Sequence, residues 1–147
     1  MKRTRIQQSG QIETDRQVMF SIINAGRVIE QRLEEALARD GLSLAKFMAL
    51  THLVEAGEPL SLGEFATKMV CVRSNITQLM DRLEADDLVR RVEDPQDRRA
   101  VRASVTRLGA TRQAAGAKEM ARVQAELAKT LKGTDHDALQ NALSAIK

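Results

Sequence analysis

The chain has 147 residues, 43% of them hydrophobic and 29% charged, which suits one globular domain and excludes a disordered chain. Aromatics make up only 2%, three Phe with no Tyr or Trp, so the core has to be built from Leu, Ile, Val, Met and Ala. A net charge of +3 is too small to name a partner, and one cysteine excludes an intrachain disulfide and a Cys-cluster zinc site.

The amino-terminal "MKRTR" is basic, and polar residues follow it instead of an apolar signal core. It reads as a disordered basic arm without a secretion signal. No apolar run approaches the ~18 residues of a membrane span. With a single cysteine, this predicts a cytoplasmic protein.

From 12 to 40, Val18, Ile22, Ala25, Ile29, Leu33 and Leu37 recur at steps of three and four, which predicts a long helix. Met19 and Ile23 widen its apolar face beyond what a small core can cover, which points to a second subunit. Gly41 ends the helix. Ser43 is a suitable N-cap for the next one, with Leu42 and Phe47 at the positions of a hydrophobic staple. Phe47, Leu50 and Val54 mark its buried side, and "EAGEP" at 55–59 breaks it.

Ser61 and Glu64 have the spacing of a capping box, and Leu60 can staple onto Phe65. A short helix over 62–69 follows, with Leu62, Phe65, Ala66 and Met69 as its stripe. After a turn at 70–72, Ile76, Leu79, Met80 and Leu83 trace a helix over 73–86. Residues 88–93 and 100–106 alternate as two strands joined by 94–99. Thr106 caps a helix over 107–132 that Gly133 closes. Thr134 with Asp137 marks a last helix, with Leu139, Ala142, Leu143 and Ile146 on one side.

Helix, turn, helix and hairpin make a winged helix-turn-helix. The predicted fold is therefore mainly α with a small two-stranded β-wing: one domain, with a winged helix-turn-helix lobe over 43–106 flanked by N- and C-terminal helices over 12–40 and 107–147. In the second helix of the motif the apolar stripe fixes the buried side. Ser74, Asn75, Thr77, Gln78 and Asp81 then lie on or beside the open side, and most of them suit hydrogen bonds to base edges in a major groove. Arg73 and Arg82 are placed for phosphates. A polar outer face is also what any solvated helix carries, so the hairpin decides the matter. Its turn, "DPQDRR", holds Arg98 and Arg99 clear of the body, and the narrow minor groove attracts such groups. Asp97 beside them is expected to orient an arginine through an ion pair in the loop. The bland alternative is a solvated turn that keeps the hairpin edge soluble.

The stretch "DRLEADDLVRRVEDPQDRRAVRASVTRLG" at 81–109 resembles the wing and flanks of the MarR (multiple antibiotic resistance regulator) family. The family pattern runs roughly D-R-L-E-x-x-G-L-V-x-R, D-P-x-D-R-R and L-T-x-x-G. The resemblance implies a homodimeric transcription regulator, with 12–40 and 107–147 as dimerisation helices, 43–106 as the DNA-binding lobe, 73–86 as the recognition helix, and Arg98 and Arg99 as wing arginines, Arg99 entering the groove. It also implies a small-molecule effector site at the junction of the DNA-binding lobe and the dimer helices, aliphatic here, with Met, Phe and His52 as candidate lining. Three departures stand out: Asp87 replaces the usual Gly, Val105 replaces Leu, and Val72 falls where the family often has a capping Ser or Asp, so that the helix start is weaker by ~1 kcal/mol or its first turn shifts to use Ser74.

The DNA-facing set is thus Arg73, Ser74, Asn75, Thr77, Gln78 and Arg82 on the helix, with Asp97, Arg98 and Arg99 on the wing. The expected function is a sequence-specific regulator, a repressor binding a palindromic operator as a homodimer. The alternative is a winged-helix protein-interaction module or a ligand-independent dimeric scaffold. Residues 61–108 carry nine Lys/Arg against eight Asp/Glu, and this near-neutrality keeps that alternative open. Neither an enzyme nor a metal or cofactor site has a residue set behind it. His52 and His136 are scattered, and Cys71 reads as a small apolar turn residue.

Overall fold

The structure, a computed structural model, describes residues 2–69, 75–97 and 100–146. The first helix, α1, spans Lys2–Ala38 and has 37 residues, about 55 Å at 1.5 Å per residue. The arm expected to be disordered is therefore helical, and the helix starts ten residues before the predicted 12. Nothing between Lys2 and Thr14 stops a helix strongly: there is no proline, and Lys, Arg, Gln and Ile tolerate the conformation. Its end was legible. Gly41 takes a φ of 69°, and the Leu42 N–H donates to the Leu37 carbonyl at 3.1 Å.

The second helix, α2, spans Leu44–Ala56 and is capped by Ser43, which accepts from the Lys46 N–H. Leu42 and Phe47 are both buried, as the staple requires. The buried side holds Phe47, Ala49, Leu50 and Leu53, while Val54 is exposed, contrary to the sequence expectation. The face is turned by one residue because α2 packs against both α5 and the sheet.

A two-residue strand, β1 (Leu60–Ser61), precedes α3 (Leu62–Lys68). The capping box is present at both ends: the Glu64 N–H donates to Ser61 Oγ at 3.2 Å, and the Ser61 N–H donates to Glu64 Oε2 at 2.8 Å. Phe65 and Met69 are buried and Leu62 partly so, whereas Ala66 faces solvent. Helix α4 spans Ile76–Ala85, shorter than the predicted 73–86.

Strands β2 (Val89–Glu93) and β3 (Val101–Val105) form the antiparallel hairpin, in register from Val89 opposite Val105 to Glu93 opposite Val101. β1 adds to the other side of β3, with Leu60 opposite Ala103. The sheet is therefore three-stranded, in the order β1-β3-β2, not two-stranded. A two-residue strand is too short to show a period in the sequence. Helix α5 (Arg107–Thr130) is capped by Thr106, and α6 (His136–Ser144) is capped by Asp135 rather than Thr134.

The core lies where α2, α3, α4 and the sheet meet. Phe65, Leu50, Met80, Leu83 and Ala103 are wholly buried. Two glycines of α5 let it lie close. A Cβ on Gly109 would stand 2.0 Å from the Leu88 carbonyl oxygen, and one on Gly116 would stand 2.7 Å from the Phe47 ring. Among the described residues no helix is long and apolar enough to cross a membrane.

Candidate nucleic-acid interface

Leu79, Met80 and Leu83 anchor α4 in the core, so Thr77, Gln78, Asp81 and Arg82 are exposed on its other side. The helix begins with Asn75, whose side-chain oxygen accepts from the Gln78 N–H at 3.3 Å. The missing cap at Val72 is thus made good three residues later, by Asn75 and not by Ser74. That oxygen is committed to the helix start, which leaves the Asn75 amide nitrogen for an outside partner. Arg73 and Ser74, with Cys71 and Val72, lie outside the described residues.

A cleft of about 220 Å³ opens between the start of α2 and α4, lined in part by Ser43, Lys46, Asn75, Gln78 and Arg82. Lys46 was not singled out in the sequence. Its Nζ reaches Asp86 Oδ2 at 2.5 Å, tying α2 to the end of α4. Only the fold brings these two residues, forty positions apart, together. Asp87 next in line takes a φ of 59°, the left-handed conformation expected where the family pattern has Gly.

A second ion cluster joins α4 to the hairpin. Arg91 of β2 reaches Asp81 Oδ1 with Nη2 at 2.5 Å and Glu84 with Nη1, and its backbone N–H donates to Glu84 Oε1 at 3.3 Å. The hydrogen bond to Asp81 and the charges of both carboxylates hold the guanidinium pKa above its usual range, against some loss of hydration.

The wing turn is built on Asp94, not on Asp97 alone. Asp94 is buried. Its Oδ1 accepts from the Gln96 N–H at 2.9 Å, and its Oδ2 accepts from Arg102 Nε at 2.7 Å. These bonds, the backbone one first, hold its carboxyl below the ordinary carboxylate range. Arg102 also donates to the Pro59 carbonyl at 3.1 Å and lies 3.7 Å from Glu64, so the wing base is fastened to the start of α3. Asp97 closes the turn through its backbone: its N–H donates to the Asp94 carbonyl at 3.3 Å, and its carbonyl accepts from the Ala100 N–H at 2.9 Å. Arg98 and Arg99 lie outside the described residues, and with them the expected ion pair to Asp97.

The histidines stay apart from this surface. His52 on α2 is largely covered, with Nδ1 3.9 Å from Glu55, and His136 Nε2 lies 3.2 Å from the Leu131 carbonyl.

A protein-family model described as the MarR family matches residues 42–101. The HTH-type transcriptional regulator YsmB of Bacillus subtilis is 37% identical over 82 residues, 56% of this chain and 56% of YsmB. The chain thus spans little more than half the length of that relative. Among solved structures, AbsC of Streptomyces coelicolor, a MarR family transcriptional regulator, superposes with a TM-score of 0.78 at 26% identity, over 90% of this chain and 91% of AbsC. The transcriptional repressor CouR, bound to a 23-mer DNA duplex, gives 0.74 at 27% identity, over 86% of this chain and 89% of CouR. The lobe with its box-capped α3, its outward α4 and most of its wing thus matches the MarR family model, and with the long helices around it the chain has the fold of AbsC and CouR.

Proposed function

We propose that the protein is a sequence-specific DNA-binding transcription regulator, acting as a homodimer on a palindromic site and serving as a repressor. The observation that carries this is the seating of α4. Leu79, Met80 and Leu83 of its apolar stripe are buried and Ile76 partly so, and Gln78, Thr77 and Arg82 stand on the opposite side, beside the anchored base of the wing. Such a helix fits a major groove, where amide and hydroxyl groups read base edges and arginine binds phosphate. Arg98 and Arg99, by their place in the turn, are the groups that meet the minor groove. The CouR complex with a DNA duplex supports the same use of this fold.

The dimer is supported by apolar side chains left exposed on α1 and near the carboxyl end, among them Val18, Met19, Ile23, Leu143 and Ile146. Effector control belongs to the reading as well. Besides the close packing of Gly109 and Gly116, the lobe is tied to the long helices by polar contacts: Leu44 N–H to Glu34, and Gln113 to Thr51. A ligand binding there would change the separation of the two α4 helices and so their match to adjacent grooves.

Selection of bound duplexes from a random pool tests the proposal. The expected product is an inverted repeat with half-sites about one DNA turn, ~10 bp, apart, and log affinity should fall linearly with log salt. A pool that shows no enrichment, with no salt-dependent binding, leaves the protein-interaction reading in its place.

A further inference from the structure

Helix α4 has a charge problem for the role just proposed. Within Ile76–Ala85 it carries Asp81 and Glu84 against the single Arg82, an excess of one negative charge. Asp81 is four residues beyond Thr77 and three beyond Gln78, so it lies on the same face. Bare carboxylates there would meet a phosphate backbone at close range, and like charges at an interface strongly oppose association.

We infer that Arg91 is a positioning residue for DNA binding: from strand β2 it holds and neutralises the Asp81 and Glu84 carboxylates, so that α4 can approach phosphates. The inference rests on α4 being the DNA-facing helix. Counting arginines by sequence would assign Arg91 to the phosphates. The geometry assigns it inward. Both of its terminal nitrogens are taken by the two carboxylates, and its own backbone N–H binds Glu84 as well. A guanidinium can serve two carboxylates at once because its donors form a planar fork. The clamp also fixes the first wing strand to α4, so helix and wing are presented in one orientation. At the end of the helix Lys46 does the same for Asp86 from another element.

The test compares wild type, Arg91→Ala, Asp81→Asn/Glu84→Gln, and the triple variant. Each is titrated at several salt concentrations against the duplex that the wild type selects. Arg91→Ala is expected to bind about tenfold weaker, because it bares two like charges beside the phosphates. The triple variant is expected to return to within about threefold of wild type, because the carboxylates that needed holding are gone. Asp81→Asn/Glu84→Gln, with Arg91 kept, is expected to bind at least as tightly as wild type.

An Arg91→Ala protein that binds like wild type overturns the inference, and so does a triple variant as weak as Arg91→Ala. A drop in the salt slope of about 0.9 for Arg91→Ala also overturns it, since that is the mark of one lost phosphate contact. The Asp81→Asn/Glu84→Gln protein decides independently of how Arg91→Ala folds: binding more than tenfold weaker than wild type overturns it. A wild type that selects no duplex overturns the DNA-binding reading itself, and this inference with it.

Discussion

The winged lobe and the helices around it bury their apolar residues to very different extents. Every member of the main core cluster falls between Leu37 and Ala103. Of the large apolar side chains left exposed among the described residues, all but Val54 and Val101 belong to α1, α5 and the carboxyl-terminal segment. On α1 the change occurs within one stripe: Leu37 is buried, Leu33 and Ile29 are half-buried, and Ile22 and Val18 are exposed. The lobe is thus complete within one chain, while the flanking helices have an apolar surface for which one chain supplies no cover. Under the proposed homodimer, a fold divided in this way has two separable stabilities, one of the lobe and one of the association.

The strongest way to break the comparison is Phe65→Ala. Phe65 is wholly buried at the centre of the lobe. Its truncation is expected to cost about 3–5 kcal/mol of unfolding free energy, read by urea denaturation. A loss below about 1 kcal/mol would mean that the lobe core closes around the gap and is less tightly packed than its burial implies.

Ile23→Asp probes the other half. Ile23 is 56% exposed on α1, so the lobe is expected to keep its folding while self-association weakens by roughly a hundredfold, since the charge would be buried between subunits. Light scattering on a size-exclusion column reads the mass, and circular dichroism reads the helix content. A mass unchanged at micromolar concentration would take the exposed part of α1 out of the dimer interface.

The smallest effect sharpens the boundary at the wing. The Asp94 carboxyl is depressed from its ordinary value of 3.8 by the Gln96 N–H and by Arg102. A depressed group stabilises the fold fully above the unfolded value and loses that contribution as pH falls through the lower folded value. Asp94→Asn is therefore expected to be less stable than wild type near neutral pH and to converge with it as pH falls below 3.8 and through the lower folded value. Denaturation midpoints of both proteins across that range check it. A constant difference would mean that Asp94 acts by packing and not by charge.

What could be read from the sequence was local. The Ser43 cap, the Ser61–Glu64 box, the Thr106 cap, the Gly41 stop and the stripe of α4 depend on neighbours within a few positions, and all are present. What escaped depended on the fold. β1 exists only because Leu60 and Ser61 come alongside β3, and Val54 turns outward because α2 has neighbours on two sides. Caps moved by one position where two candidates stood together: Asn75 in place of Ser74, Asp135 in place of Thr134. For the candidate site, Thr77, Gln78 and Arg82 followed from periodicity alone. Arg91 with Asp81 and Glu84, Lys46 with Asp86, and Arg102 with Asp94 could not, since an ion pair across seven to forty positions leaves no periodic trace. The bonds of Asp94 to the Gln96 N–H and to Arg102 were not anticipated, since Asp94 carried no role in the sequence reading of the turn.

The junction at Thr106 bears on how such proteins can be recombined. The Thr106 hydroxyl donates to the Asp87 carbonyl at 2.6 Å and accepts from the Gly109 N–H at 2.9 Å, and Gly109 lies directly on the Leu88 carbonyl. The end of the α4 turn and the first turn of α5 are thus one welded joint, although a family boundary drawn by sequence ends before it, at 101. A lobe transplanted onto a foreign body with a cut after Val105 would lose the hydroxyl that completes its own last turn. The natural exchange unit runs past the wing through Gly109, and a graft that respects it carries the first turn of its own α5 along.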